Sequence, residues 1–135
     1  SFDKLWGYAN VIRHGTKKLD QNGSLVLVSG APARKTKPGM VTLSVVGGAV
    51  ENLVRAAALE MSPKRINLVS PGIIDTPLFP QEGEERENLI KNFTANHSIK
   101  RAGTPEEVAS AIIFLIENDF VNGTTVDVDG GWLLS

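Results

Sequence analysis

The sequence predicts an α/β fold in which helices pack on a parallel β-sheet. Three short strands are predicted along the chain, and helical stretches precede the first strand and separate each later pair. Helical crossovers between consecutive strands are typical of parallel sheets, because parallel neighbours need a long return connection. The first strand, residues 24–29, is a continuous apolar run rather than an alternating one. Such a run predicts a strand that is buried on both faces of the sheet.

An amphipathic helix is predicted over residues 3–18, before the first strand. Apolar side chains recur at helical spacing, and Leu5 and Ile12 are expected to face the core. Tyr8 is expected to pack beside Trp6 near the start of this helix. A polar turn then leads into the first strand.

A basic loop, residues 30–39, follows the first strand and is bounded by prolines. Its Arg34, Lys35 and Lys37 are expected to be solvated surface charges, with contact to an anionic substrate or phosphate as the alternative. A long helix is predicted next, over residues 41–60. Its available buried stripe comprises Val46, Val50, Leu53, Val54, Ala57 and Ala58.

The second half of the chain contains two more strands and two more helices. Residues 66–70 form a β-rich run that is expected to stop at residues 71–72, a Pro-Gly pair that turns the chain. Residues 81–96 predict a highly charged helix. Residues 104–117 predict another, which opens with a hydroxyl N-cap, a proline and a glutamate at capping-box spacing. The last strand is predicted over residues 124–128.

Composition excludes several classes of function. The chain has 135 residues, which fits one domain, and its formal net charge of −1 gives no electrostatic case for nucleic acid or an anionic membrane. It has no cysteine, which excludes disulfides, thiolate catalysis and Cys-ligated zinc and favours a cytoplasmic location. No apolar run of membrane-spanning length is expected. The two histidines, His14 and His97, make no metal-binding motif and are expected to be structural or exposed.

Four segments together resemble the second half of a short-chain dehydrogenase/reductase. They are the strand at 24–29, Arg-Ile-Asn-Leu-Val-Ser-Pro-Gly-Ile-Ile-Asp-Thr-Pro at 65–77, Lys-Arg-Ala-Gly-Thr-Pro-Glu-Glu-Val-Ala at 100–109, and the ending at 123–132. The resemblance implies the C-terminal half of a doubly wound Rossmann-type domain. The glycine-rich phosphate loop and the adenine half of the cofactor site would then lie before Ser1. The first strand would expose an apolar edge, so either another polypeptide supplies the remaining strands or the chain is a fragment of a longer one, and the fragment is favoured. A homo-oligomer is also expected.

This family resemblance implies an NAD(P)-dependent oxidoreductase. It would move a hydride between nicotinamide and a small carbonyl or alcohol substrate, with NADP or NAD as the cofactor. The cofactor-binding residues that the resemblance assigns are Pro71, Gly72, Ile73, Ile74 and Thr76. Residues 81–96 would form a lid over the substrate, or else a plain solvated helix.

The catalytic positions of the family are only partly matched. Members of the family use a tyrosine and a lysine four residues later on one helix, and these positions fall on Leu43 and Gly47 here. The serine position falls on Ser29 or the next residue, and the asparagine position falls approximately on Lys4. Atypical or weakened proton transfer is therefore expected. The alternatives are a dinucleotide-binding pseudoenzyme and an oligomerisation subunit without turnover.

Overall fold

The computed structural model describes residues 2–135, which form a three-stranded parallel sheet with helices on both faces. Its helices are α1 (Phe2–Gly15), α2 (Val41–Glu60), α3 (Gly83–Thr94) and α4 (Pro105–Glu117). Its strands are β1 (Ser24–Val28), β2 (Arg65–Pro71) and β3 (Thr125–Val128). Short 3₁₀ turns lie at Thr16–Lys18, Ala31–Ala33 and Trp132–Leu134. The predicted α/β class and element order are confirmed, with boundaries that differ by at most three residues and agree for α2.

The strands lie in the order β1-β2-β3, so β2 is central and is buried from Arg65 to Ser70. The predicted stop of this strand was one residue too early, because Pro71 still pairs with Val128. Proline lacks only a donor, and the ladder bond at this point is made by Gly72, whose N–H donates to the Val128 carbonyl at 2.9 Å.

Strand β1 lies at the edge of the sheet, and the expectation that it is buried on both faces is wrong for residues 2–135. Among its residues only Leu27 is buried, while Leu25 and Val26 are half-buried. The described part of the chain provides β1 with one neighbouring strand, β2. A strand at the edge of a sheet has no second neighbouring strand to bury its outer side. The sequence of β1 is nevertheless that of an interior strand.

Helices α1 and α2 cover one face of the sheet. The core between them contains Leu27, Val46, Val50, Val54, Ala57, Ala58, Met61, Ile66 and Leu68, with Leu5, Tyr8 and Ile12 packed against it. Burial of each large apolar side chain stabilises the fold by about 1.5–3 kcal/mol. The predicted packing of Tyr8 on Trp6 is wrong: Trp6 is exposed, and Tyr8 turns inward and donates its hydroxyl to the Val28 carbonyl.

Helix α2 has a second property that the sequence analysis did not anticipate. By length and composition it could cross a membrane, whereas no such segment was expected. In the structure its apolar stripe, which includes Val46, Val50 and Val54, is buried in the core between α1 and the sheet. Core packing accounts for this buried stripe, while Val41, Val45 and Leu59 on the same helix are exposed.

Helix α4 covers the opposite face and is held at both ends. At its start, Thr104 and Glu107 form the predicted capping box, in which each side chain accepts a hydrogen bond from the other residue's backbone N–H. At its end, the buried Arg65 guanidinium donates to the carbonyls of Leu115 and Ile116, each at 2.8 Å. Carbonyls at a helix C-terminus have no intrahelical partners, so a cation placed there satisfies them.

Candidate active site

Two adjoining clefts lie beyond the C-terminal ends of the strands. The larger has a volume of about 520 Å³ and a mostly apolar lining. It is lined by Ser29, Gly30, Pro32, Pro71, Gly72, Ile73, Ile74, Thr76, Leu78, Phe79, Pro105 and Val108. All five residues predicted to bind a cofactor therefore share one cleft with Ser29. Open α/β sheets bind ligands at this edge, because successive strand ends and their loops converge there.

The floor of the larger cleft requires glycine at position 72. A Cβ atom on Gly72 would lie 2.7 Å from the Asp129 Cα, so the chain after β2 passes against the chain after β3 without room for a side chain. Gly103 then pairs with the following segment: its N–H donates to the Ile73 carbonyl at 2.9 Å and its carbonyl accepts from the Asp75 N–H at 2.8 Å. Within residues 2–135 the backbone N–H and carbonyl of Ile74 make no backbone hydrogen bond. These two groups remain available to a ligand.

Arg86 holds the loop that forms the rim of this cleft. From α3, its guanidinium donates to the carbonyls of Thr76 at 3.0 Å and Phe79 at 2.5 Å, and it pairs with the Asp75 carboxylate. Sequence reasoning missed this role, since Arg86 is one of many charged residues in its helix. The helix predicted over residues 81–96, as a lid or as a plain solvated helix, is present as α3.

The smaller cleft, about 210 Å³, brings together the predicted catalytic positions. Lys4, Ser29, Leu43 and Gly47 all line it, and Ser29 lies where the two clefts meet. Partial burial lowers the pKa of Lys4, whose Nζ lies 5.6 Å from the centre of the Tyr8 ring. The four-residue spacing of Lys4 and Tyr8 is the sequence signal for this contact, because residues at that spacing stack on one helix face.

Helix α2 lies against the turn after β1 at the position assigned to the family's lysine. Gly47 is buried, and a Cβ atom there would lie 1.7 Å from the Ala33 Cβ and 2.8 Å from the Ala33 Cα. No side chain fits at position 47 unless the turn moves. The smaller cleft therefore has no titratable side chain at position 43 or 47.

The remaining charged candidates lie apart from both clefts. Arg34 pairs with the carboxylates of Asp127 and Glu51, the latter at 3.0 Å, and these partners raise its pKa. His14 is exposed and His97 is buried, so neither lines the site. Residues 2–135 contain no cluster of three His, Asp or Glu side chains arranged to hold a metal ion.

Proteins that are similar to this chain in sequence or in structure belong to one group of enzymes. The family described as enoyl-(acyl carrier protein) reductase matches residues 4–133. Short-chain dehydrogenase/reductase ATR9 of Stachybotrys chlorohalonatus is 35% identical over 111 residues, which are 82% of this chain and 44% of that protein. NADPH-dependent aldehyde reductase 1 of Arabidopsis thaliana is 32% identical over 132 residues, which are 94% of this chain and 45% of that protein.

A solved structure of a small-chain dehydrogenase in complex with NADPH superposes with a TM-score of 0.90 at 31% identity. The match covers 98% of this chain and 61% of that one. The chain thus spans about half the length of the curated relatives it matches. Its α/β fold and its sequence together identify it: the chain belongs to the short-chain dehydrogenase/reductase family.

Proposed function

We propose that this chain is part of an NAD(P)-dependent oxidoreductase that moves a hydride between a nicotinamide dinucleotide and a small carbonyl or alcohol. The observation that carries the proposal is the larger cleft, in which all five predicted cofactor-binding residues lie beside Ser29. Relatives described as NADPH-dependent or solved with NADPH support a nicotinamide cofactor. The proposal covers both NADP and NAD.

The described residues fit the nicotinamide end of such a cofactor. An apolar cleft suits a flat ring, and the free N–H and carbonyl of Ile74 match the acceptor and donor of a carboxamide. Gly72 allows the chain after β2 to lie close against Asp129, and Thr76 lines the same cleft. When bound, the dinucleotide would supply or accept the hydride. The rest of the cofactor site would come from the N-terminal half of the domain, which would also supply a strand beside β1.

We assign proton transfer to Lys4 and Ser29. In the direction of carbonyl reduction, negative charge develops on the substrate oxygen as its carbon is reduced. The Lys4 ammonium would donate a proton to that oxygen and become a neutral amine, which water reprotonates, while the Ser29 hydroxyl donates a hydrogen bond. Burial lowers the pKa of Lys4 and so makes its ammonium a better acid. A well-placed general acid contributes about 10²–10⁴-fold in rate.

The test uses the full-length protein, NADPH and NADH, and a panel of small aldehydes and ketones. We expect turnover with at least one carbonyl, and a loss of about 10²-fold in kcat for Lys4→Met with dinucleotide affinity retained. The reduction rate of the unaltered protein should fall as pH rises through the Lys4 pKa, because the acid form is then lost. Lys4→Met should lack this limb. Lys18→Met, an exposed lysine on the turn after α1, is the matched control.

Two outcomes would contradict different parts of the proposal. If Lys4→Met keeps both its kcat and the pH limb, the proton comes from another source. If neither dinucleotide binds the full-length protein, the oxidoreductase assignment itself is wrong.

A further inference from the structure

A third pocket lies on the far side of the basic loop. It has a volume of about 360 Å³ and lies between that loop, the end of α3 and the final turn of the chain. Its lining includes Lys35, Lys37, Phe93, His97 and Trp132. None of its lining residues belongs to either cleft of the candidate active site.

Two lysines give this pocket positive charge that the protein does not neutralise. Neither Lys35 nor Lys37 has a carboxylate within 4.0 Å in the part of the chain that the structure describes, whereas the neighbouring Arg34 has two. Lys35 Nζ donates to the Trp132 carbonyl and the Ser135 hydroxyl, both at 3.1 Å, which leaves one of its three N–H groups free.

The carboxylate of Asp129, whose charge acts on His97 in this pocket, is already engaged. Both oxygens of Asp129 accept hydrogen bonds from backbone N–H groups, from Gly131 at 2.9 Å and Leu133 at 3.0 Å. Burial lowers the pKa of His97, and the two lysines lower it further against the opposing effect of Asp129. A neutral His97 leaves the lysines as the source of positive charge.

The remaining wall of the pocket is aromatic. The Trp132 ring stacks on His97 with their centres 5.7 Å apart, and Lys37 Nζ lies 5.7 Å from the Trp132 ring centre. Phe93 exposes about half of its surface beside them, at 53%. An anionic group and an adjoining apolar group would therefore meet complementary surfaces at once.

We propose that this pocket binds a small organic anion, whose carboxylate or phosphate contacts Lys35 and Lys37 while its apolar part contacts Phe93 and Trp132. This proposal does not depend on the oxidoreductase chemistry, and it is tested by measuring ligand binding directly. Because the pocket shares no residue with the cofactor cleft, failure here would leave the proposed function untouched.

The test uses the full-length protein labelled with 5-fluorotryptophan, and the ¹⁹F resonance of Trp132 is assigned with the Trp132→Phe variant. Benzoate and phenyl phosphate are titrated separately, and benzamide serves as the neutral analogue of benzoate. We expect a saturable shift of the Trp132 resonance with one or both anions. Benzamide should produce no saturable shift over the same concentrations.

The double variant Lys35→Gln/Lys37→Gln should weaken binding by about tenfold or more, because charge-assisted contacts are lost. The control Lys17→Gln/Lys18→Gln removes two exposed lysines at the opposite end of β1 and should bind as the unaltered protein does. Equal shifts with benzamide, no shift with either anion, or unchanged affinity in the Lys35/Lys37 variant would each overturn the proposal.

Discussion

Gly47 shows how one residue limits the chemistry of this site. At this position, which family resemblance assigns to a lysine, the helix backbone lies directly against Ala33. A tyrosine-lysine pair cannot be rebuilt by substitution at positions 43 and 47 alone, because any Cβ at 47 displaces the turn. The proposed mechanism therefore takes its proton donor from another element, Lys4 on α1, which lines the same cleft.

Adjacent glycines in α2 provide a matched test of this packing. Gly47→Ala should destabilise the fold by about 1–3 kcal/mol, because the added methyl group overlaps Ala33. Gly48→Ala should instead stabilise it by about 0.5–1 kcal/mol, since a Cβ there meets nothing within 4 Å and alanine favours the helix. Both changes are measured by urea denaturation. Adding Ala33→Gly should restore most of the loss at position 47; additive effects would show that the two residues do not interact.

At the scale of elements, the stability of the start of α4 depends on pH through Glu107. Hydrogen bonds from Arg101 and from the Thr104 backbone N–H lower the pKa of Glu107 from 4.5 to about 2. The lower pKa in the folded state means that this group stabilises α4 fully above about pH 4.5. The contribution is lost as pH falls through about 2.

Glu107→Gln should therefore lower the Tm by a constant amount above about pH 4.5, and that difference should shrink between pH 4.5 and 2. Glutamine keeps the shape of the capping box, removes the charge, and leaves one oxygen in place of the two that accept from Arg101. Glu106→Gln is the control, because Glu106 makes no ion pair in residues 2–135. A Tm difference that is independent of pH over this range would contradict the assignment.

Arg86 links α3 to the loop at the rim of the larger cleft. Its guanidinium contacts four groups between residues 75 and 81, which a single ammonium cannot reach together. We expect Arg86→Lys to weaken dinucleotide binding to the full-length protein by about tenfold, a change of about 1.4 kcal/mol. Lys91→Ala, an exposed change on the same helix, is the control. Unchanged dinucleotide affinity would show that the loop does not depend on this anchor.

For the molecule as a whole, we expect the unpaired edge of β1 to determine whether the chain self-associates. Leu25 and Val26 are half-buried on a strand whose outer side has no partner in residues 2–135, and such edges promote association. Residues 1–135 expressed alone should therefore self-associate, with a mass by light scattering that rises with concentration. The full-length protein should have a fixed oligomeric mass. A monomeric 1–135 chain with a sharp melting transition would contradict this expectation.

Local sequence determined much of this protein. The span of α2, the capping box of α4 and the order of strands and helices depend on side-chain period and on contacts within about one helical turn. The four family-like segments indicated the short-chain dehydrogenase/reductase family and placed the candidate cofactor residues on one loop.

Only the tertiary structure decided which strand is the edge, that Lys4 and Ser29 line one cleft, and why Gly47 admits no side chain. Each of these features depends on contacts between residues far apart in the chain. The apolar sequence of β1 does not indicate whether a second strand lies beside it. In the same way, the sequence of α2 does not indicate that Ala33 packs against Gly47. Packing between distant segments is therefore what converts these residues into a site.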